Sequence, residues 1–162
     1  MYCHTDCFRI CNTGLGQGAC ITMERLVADA AKKWIVVGDL SKKSTQLGTI
    51  HKSGIPIECT PYGVSTVIHK LLLLGAKKVK LREAIKKSGP VVTDTNNYIV
   101  DAEFTAQQLD AGNIQSLSNS INTITGVLSS GLFINVAMAA YFGSSDGNVE
   151  VIHKQHNIRS NV

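Results

Sequence analysis

Residues 14–25 read GLGQGACITMER, in which three alternating glycines precede an apolar run with helical spacing. Glycine allows positive φ angles and a close approach of the backbone to a ligand. A helix that begins near Ala19 would direct its free N–H groups at a phosphate, a carboxylate or a developing oxyanion. Because the pattern matches neither GxGxxG nor a Walker loop, a helix-entry turn without a ligand is the alternative interpretation.

Glu24 lies in the second turn of this predicted helix. If its side chain faces the ligand, the carboxylate could act as a general base. If it faces solvent, Glu24 is an ordinary surface residue beside Arg25. Residue types alone favour the surface interpretation.

Cys3, Cys7 and Cys11 recur every four residues and would share one face of a helix. A metal site is one interpretation, but zinc sites generally combine two closely spaced pairs of ligands. His4 would lie off the shared face, so we favour a solvent-facing or disordered N-terminus without a metal. Five cysteines without a recognisable secretory signal indicate reduced thiols in the cytosol.

The segment from Lys70 to Lys87 is basic, with seven Lys or Arg residues and the single acid Glu83. Such a segment could steer phosphorylated ligands or RNA. In KKVKLRE the charges alternate with apolar residues, which favours an edge strand with one solvated face. No aromatic residue interleaves for base stacking, so we expect no nucleic-acid partner.

The composition is typical of a globular protein. The 162 residues are 44% hydrophobic and 17% charged, with a formal net charge of +4. A chain of this length can bury a core without disulfides or metals. No segment reaches about 18 uninterrupted apolar residues, so we expect no membrane span.

Hydrophobic periodicity predicts alternating helices and strands. The expected helices cover 20–33, 63–75 and 109–124. A strand buried on both faces is expected over 34–39. Another strand is expected over 55–61, where Pro56 and Pro61 are compatible only with a sheet edge or with strand ends. The remaining expected strands cover 77–83, the hairpin of 90–94 and 97–104, and two or three strands within 131–152. This order predicts an α/β fold with a parallel core, formed by 1–48 and 134–162, and an inserted α+β subdomain over 49–133.

Five segments together carry a family resemblance. They are GQGACITMER, GIPIE, VVTDTNNYIVDAEF, INTITGVLSSGLFI and YFGSSDG, which extend over roughly residues 14–152. In their order and spacing the chain resembles type A ribose-5-phosphate isomerase. HKSGIPIE and KSGPVVTD resemble the eukaryotic branch of that family.

The resemblance implies an α/β fold with a partial parallel Rossmann-like core and a smaller inserted α+β domain. It implies interconversion of ribose 5-phosphate and ribulose 5-phosphate, an aldose–ketose isomerisation of the pentose phosphate pathway without metal or organic cofactor. A carboxylate would move a proton between C1 and C2 through an enediolate, while lysine and backbone N–H groups stabilise the oxyanion. The resemblance also implies a cytoplasmic homo-oligomer.

Particular residues take roles from the family loop KGGG and the glutamate that follows it. Glu24 would be the catalytic base, and Gly16, Gln17 and Gly18 would form the loop that approaches the substrate. Lys42, in DLSKK, corresponds to a lysine that contacts substrate.

The sequence also departs from the family pattern. Leu15 stands at the position of the loop lysine, and Gln17 replaces the middle glycine, where its Cβ could obstruct the approach to the backbone. The family's upstream GxGST-like phosphate loop and DGADE-like acidic turn have no counterpart before Gly14. These departures predict a truncated isomerase with weak or no activity. The alternative is a catalytically inactive relative that acts as a binding or oligomerisation partner.

Overall fold

The computed structural model describes residues 19–48, 53–86 and 88–154, and the backbone of 2–4 and 9–11. The helices of this part are α1 (Ile21–Ala30), α2 (Val64–Leu73) and α3 (Ile114–Asn122). The strands are β1 (Tyr2–His4), β2 (Arg9–Cys11), β3 (Ile35–Asp39), β4 (Lys43–Ser44), β5 (Ile55–Cys59), β6 (Lys78–Leu81), β7 (Tyr98–Glu103), β8 (Val127–Ser130), β9 (Leu132–Ile134), β10 (Ala139–Gly143) and β11 (Val149–His153). Parallel and antiparallel pairings both occur, which confirms the α/β prediction.

The larger core lies on a four-stranded antiparallel sheet in the order β6–β7–β5–β8. α2 contacts β6 and β7, and α3 contacts β8. β6 is an edge strand with Lys78 and Lys80 exposed, as the alternating charge pattern predicted. The helices contribute several fully or nearly fully buried apolar side chains to this core, namely Val67, Leu71, Ile114, Leu117 and Ile121.

Of the two placements that its prolines allow, the sheet edge is excluded, because β5 lies between β7 and β8 and all five of its residues are buried. The placement at strand ends holds, since Pro56 is the second residue of β5 and Pro61 lies beyond its last residue, Cys59. Pro56 is tolerated in this central strand because its missing N–H would point to the β8 side, past the end of the ladder with β8. The Pro56 carbonyl accepts a hydrogen bond from the Gly131 amide at 2.8 Å, beyond the Ile57–Ser130 pair that ends the ladder with β8. The N–H and C=O of a strand residue point to the same side, so proline removes no bond from the ladder with β7.

The second sheet has the order β11–β10–β3, with β10 parallel to β3 and antiparallel to β11. On one face Val36, Ala140 and Phe142 are buried in a small core. On the other face Ile35 is 48% and Val37 is 77% exposed. The prediction that this strand is buried on both faces is therefore wrong, since a continuous apolar run permits double burial but does not supply the second covering layer.

A third sheet has the order β4–β1–β2–β9, with β1 parallel to β4 and the other neighbours antiparallel. Its register places Cys3 opposite Ile10 and Cys11 opposite Tyr2. The helical spacing considered for the three cysteines therefore does not apply to Cys3 and Cys11. Cys7 lies outside the described residues.

The predicted helices are all present, but each is shorter than its hydrophobic pattern. α3 begins at Ile114 rather than at residue 109, because Leu109 reaches the core from a preceding turn. The expected strand over 90–94 is reduced to isolated bridges at Pro90 and Val92. The three strands expected within 131–152 are present as β9, β10 and β11.

The division into a core of 1–48 and 134–162 and an insertion of 49–133 stays a prediction. The four-stranded sheet is built from residues 55–130, and β9 crosses the expected boundary at Leu132–Ile134. No helix among the described residues combines the length and the hydropathy that crossing a bilayer requires.

Candidate active site

The start of α1 places Glu24 in the first turn of the helix rather than in the second. The Glu24 amide donates the first intrahelical hydrogen bond to the Cys20 carbonyl at 2.9 Å. Its side chain is half-buried, so Glu24 is not the ordinary exposed residue of the surface interpretation. A carboxylate in the first turn is stabilised by the positive end of the helix dipole.

The Cys20 thiol is a direct neighbour of the Glu24 side chain. It is half-buried and hydrogen-bonds to Glu24. Burial, this hydrogen bond and the negative charges of Glu24, Asp94 and Glu58 raise the pKa of Cys20 to about 11. Hydrogen bonds place the three acids near the start of α1, since Thr22 binds Glu58, the Asp94 amide binds the Ala19 carbonyl and Glu24 lies in the first turn.

Glu58, in the middle of the buried strand β5, directs its carboxylate at the same place. Its side chain is 0% exposed. Oε2 accepts hydrogen bonds from the Thr22 amide at 3.0 Å and the Thr22 hydroxyl at 2.8 Å. Oε1 accepts hydrogen bonds from the Thr93 hydroxyl at 2.7 Å, from Nδ2 of the Asn97 side chain at 3.3 Å and from the Thr95 hydroxyl.

These contacts decide the ionisation of Glu58. Burial alone would raise the pKa of Glu58, but hydrogen bonds from Thr95, Thr93 and Thr22 outweigh it and hold the pKa below its ordinary value. A carboxylate that already accepts from five donor groups has little capacity left for a proton.

The turn over residues 93–97 forms one wall of the site. The Thr93 amide donates to the Asn97 carbonyl at 2.8 Å, Val92 bridges to Tyr98, and Asn96 has a φ of 58°. The predicted reversal at Thr95 and Asn96 is thereby confirmed. The Asp94 amide donates to the Ala19 carbonyl at 3.2 Å, which connects the turn to the residues just before α1.

Arg25 fixes the opposite side of α1. Its Nη2 donates to the carbonyls of Ser130 at 3.2 Å and Leu132 at 2.6 Å. The guanidinium carbon lies 4.1 Å from the centroid of the Phe133 ring, and Trp34 stacks on that ring with a centroid distance of 5.5 Å. Glu24 thus lies between Thr22, which binds Glu58, and Arg25, which binds the backbone at Ser130 of β8 and Leu132 of β9.

Lys42 lies at the carboxyl end of β3, in a short 3₁₀ helix over Leu40–Lys42. Asp39 caps this helix by accepting a hydrogen bond from the Ser41 amide at 2.8 Å, and hydrogen bonding to Ser41 holds the pKa of Asp39 below its ordinary value. Lys42 itself is half-buried. In α/β folds the carboxyl ends of parallel strands are where ligands commonly bind.

The predicted site residues stay a prediction. Gly16, Gln17 and Gly18 lie outside the described residues. Glu24 and Lys42 lie on successive elements, α1 and the 3₁₀ helix after β3. Within the described ranges, no three His, Cys, Asp or Glu side chains are placed to share a metal ion.

Sequence reasoning missed Glu58 and the polar groups that bind it. One signal was present, because Glu58 is an acid within the otherwise apolar run IPIEC. A charge in a buried strand requires partners. The partners could not be identified from sequence, since they lie 35 to 39 residues away along the chain.

The chain matches a known protein family along most of its length. The profile of Ribose 5-phosphate isomerase A (phosphoriboisomerase A) matches residues 11–147. A ribose-5-phosphate isomerase of Candida albicans is 46% identical over 141 residues, which cover 86% of this chain and 58% of the relative. One of Dictyostelium discoideum is 43% identical over 137 residues, covering 84% of this chain and 58% of the relative. The chain thus spans about half the length of the curated relatives it matches.

Solved structures give the same result for the fold. The ribose 5-phosphate isomerase A of Methanocaldococcus jannaschii matches with a TM-score of 0.78 and 30% identity, over 94% of this chain and 61% of that one. The ribose 5-phosphate isomerase of Plasmodium falciparum matches with a TM-score of 0.79 and 29% identity, over 96% and 63%. A D-ribose-5-phosphate isomerase in complex with phospho-erythronic acid matches with a TM-score of 0.72 and 32% identity, over 82% and 55%.

Proposed function

This chain belongs to the ribose 5-phosphate isomerase A family, and from that premise we propose that its Glu24 site interconverts ribose 5-phosphate and ribulose 5-phosphate. The observation that carries the proposal is the half-buried carboxylate of Glu24 in the first turn of α1. The neighbouring acid, Glu58, is saturated with hydrogen-bond donors. Because the two carboxylates have such different environments, we assign proton transfer to Glu24 and a structural role to Glu58.

The proposed reaction moves one proton between adjacent carbons. Glu24 removes the C2 proton of the open-chain aldose, and the electron pair forms a C1–C2 double bond while negative charge develops on O1. The protonated Glu24 returns its proton to C1, and transfer of the O2 hydroxyl proton to O1 completes the ketose. We propose that backbone N–H groups of Gly16, Gln17 and Gly18 stabilise the developing charge and that Lys42 contacts the substrate.

A sugar phosphate is the proposed substrate class. It is supported by the names of the curated relatives. It is also supported by the solved relative that holds phospho-erythronic acid, a phosphorylated sugar acid. We further propose a cytoplasmic homo-oligomer, and the exposed Ile35 and Val37 of β3 support association through an apolar surface.

The test measures isomerisation of ribose 5-phosphate in D₂O, with ketose formation and deuterium at C1 followed by NMR. Removal of a positioned general base costs about 10²- to 10⁴-fold in rate, so we expect Glu24→Gln to reduce turnover by at least about 10²-fold. Glu83→Gln is the matched control, since Glu83 is exposed. Equal turnover in Glu24→Gln and the unmutated chain would contradict the proposal. The same assay tests the prediction, from the departures from the family pattern, that the chain has weak or no activity.

A further inference from the structure

We propose that Glu58 is a positioning residue for Glu24, acting by joining the first turn of α1 to the turn over residues 93–97. The inference rests on the proposed function for the role of Glu24 as the base. Glu58 itself is buried behind Thr22 and does not reach the reacting atoms in this scheme.

The contacts of Glu58 connect segments that are distant in sequence. One carboxylate oxygen binds Thr22 of α1 through both the backbone amide and the hydroxyl. The other oxygen binds Thr93, Thr95 and Asn97 of the turn. A single side chain from the centre of the antiparallel sheet therefore fixes both walls of the site relative to that sheet.

α1 depends on the carboxylate of Glu58 because its own N-cap residue supplies no side-chain acceptor for the first backbone amides. Cys20 occupies the N-cap position and makes no side-chain capping hydrogen bond. The first amides of a helix have no intrahelical partner, and an oxygen acceptor normally comes from the N-cap side chain. Here Glu58 supplies both the acceptor for the Thr22 amide and a negative charge at the positive end of the helix.

A change in the contact between Glu58 and Thr22 would alter the position of Glu24. Glu24 is two positions after Thr22 and lies in the same helical turn. The turn over 93–97 limits movement from the other side, through the hydrogen bond between Asp94 and Ala19. If the first turn shifts or frays, the Glu24 carboxylate moves with it, and a misplacement of about 1 Å can cost about 10²-fold in rate.

The experiment compares Glu58→Gln with Glu103→Gln. The first variant keeps the shape of the side chain and removes its charge. The second alters a half-exposed carboxylate in the same sheet, 3.8 Å from Lys78 Nζ. Backbone amide exchange, measured by mass spectrometry on peptides covering 19–30 and 98–104, reports on α1 and on β7 separately.

We expect Glu58→Gln to accelerate exchange at 21–25 by about tenfold, which is the loss of one charge-assisted hydrogen bond, and to leave β7 unchanged. In the isomerase assay we expect kcat to fall by about 10²-fold with KM within about threefold. Glu103→Gln should change neither quantity. A purely structural role would instead lower the folded fraction and the turnover in the same proportion.

Thr22→Val and Thr22→Ser keep the proposal testable if Glu58→Gln does not fold. Valine removes the hydroxyl donor to Glu58 at nearly constant volume, whereas serine keeps the donor. We expect faster α1 exchange and lower kcat in Thr22→Val, and values near those of the unmutated chain in Thr22→Ser.

The two proposals fail in distinguishable ways. Unchanged α1 exchange in both Glu58→Gln and Thr22→Val overturns the positioning role, whatever the turnover. Faster exchange with turnover that follows only the folded fraction also overturns it. Full activity of Glu24→Gln overturns the proposed function and, with it, the reaction that Glu58 would serve.

Discussion

β5 and β3 are both five-residue strands with largely apolar sequences, IPIEC and IVVGD, yet they have opposite environments. Every residue of β5 is buried, whereas β3 buries Val36 and exposes Ile35 and Val37. The difference does not come from the strands themselves. It comes from position, because β5 is central in its sheet, while β3 ends the order β11–β10–β3 and presents one face to solvent.

The comparison extends to the acids on the two strands. Glu58 of β5 is fully buried and holds two distant segments together. Asp39 of β3 is exposed and binds only locally, two residues along the chain. A buried acid must have its hydrogen-bonding capacity satisfied by the fold, so Glu58 connects distant segments, whereas Asp39 caps the short helix that carries Lys42.

The largest expected effect is that of Ile57→Ala in β5. Ile57 is 0% exposed in the larger core, and such a truncation leaves a cavity that costs about 3 to 4 kcal/mol. Urea unfolding followed by circular dichroism measures the change. A loss below about 1 kcal/mol would mean that the larger core collapses around the missing atoms, and the contrast between the two strands would lose its energetic basis.

Val36→Ala is expected to cost less, about 2 kcal/mol. Val36 is 2% exposed, but the core that it joins is formed by few buried residues, including Ala28, Phe133 and Phe142. The measurement is again urea unfolding, with the m-value compared between variants. If Val36→Ala destabilised the protein more than Ile57→Ala, the ranking of the two cores would be reversed.

The third prediction concerns acid sensitivity. Because the pKa of Glu58 is held below its ordinary value, the ionised form stabilises the folded state above the unfolded pKa of about 4.5. This stabilisation is lost as the pH falls through the lower, folded-state pKa. The free energy of unfolding of the unmutated chain should therefore decrease more between pH 6 and pH 3 than that of Glu58→Gln.

Asp39→Asn is the matched control for this measurement. The pKa of Asp39 is also lowered by hydrogen bonds to Ser41, but the side chain is exposed, so solvent screens its interactions. We expect its pH profile to follow that of the unmutated chain. Equal pH profiles for Glu58→Gln and the unmutated chain would show that the buried carboxylate does not control acid stability.

Local features of the fold were predictable from sequence. The termination of α2 is an example, since the helix expected over 63–75 ends on Gly75, which follows the C-cap Leu74 and has a φ of 89°. The Gly75 amide donates to the Leu72 carbonyl, and the Ala76 amide donates to the Leu71 carbonyl. A backbone that needs a positive φ leaves a direct trace in residue type. The turn at Asn96 was predictable for the same reason.

Features that depend on distant partners were not predictable in this way. The prolines of β5 left a sheet edge and the strand ends both open, because they indicate which hydrogen bonds the strand cannot make and not where the ladder with its neighbour ends. Residue types alone favoured a surface role for Glu24, so only the family resemblance favoured it as the base, and Glu58 did not become a candidate at all. Its function depends on Thr22 and the turn over 93–97, whose proximity arises from the tertiary fold.

For the isolated chain, the smallest expected effect is that of Val37→Thr, on the face of β3 through which we propose that copies associate. An exposed substitution changes the free energy of unfolding by at most about 0.5 kcal/mol, and threonine retains the branched shape that suits a strand. Val151→Thr is the control, because Val37 and Val151 both pair with Tyr141 and so lie in one row across the sheet. Unfolding should be measured at two protein concentrations about a hundredfold apart. A loss above about 1.5 kcal/mol that grows with concentration would show that a second copy covers this face. In that case the difference in burial between β5 and β3 would exist only in the isolated chain, because both strands would be covered in the assembly.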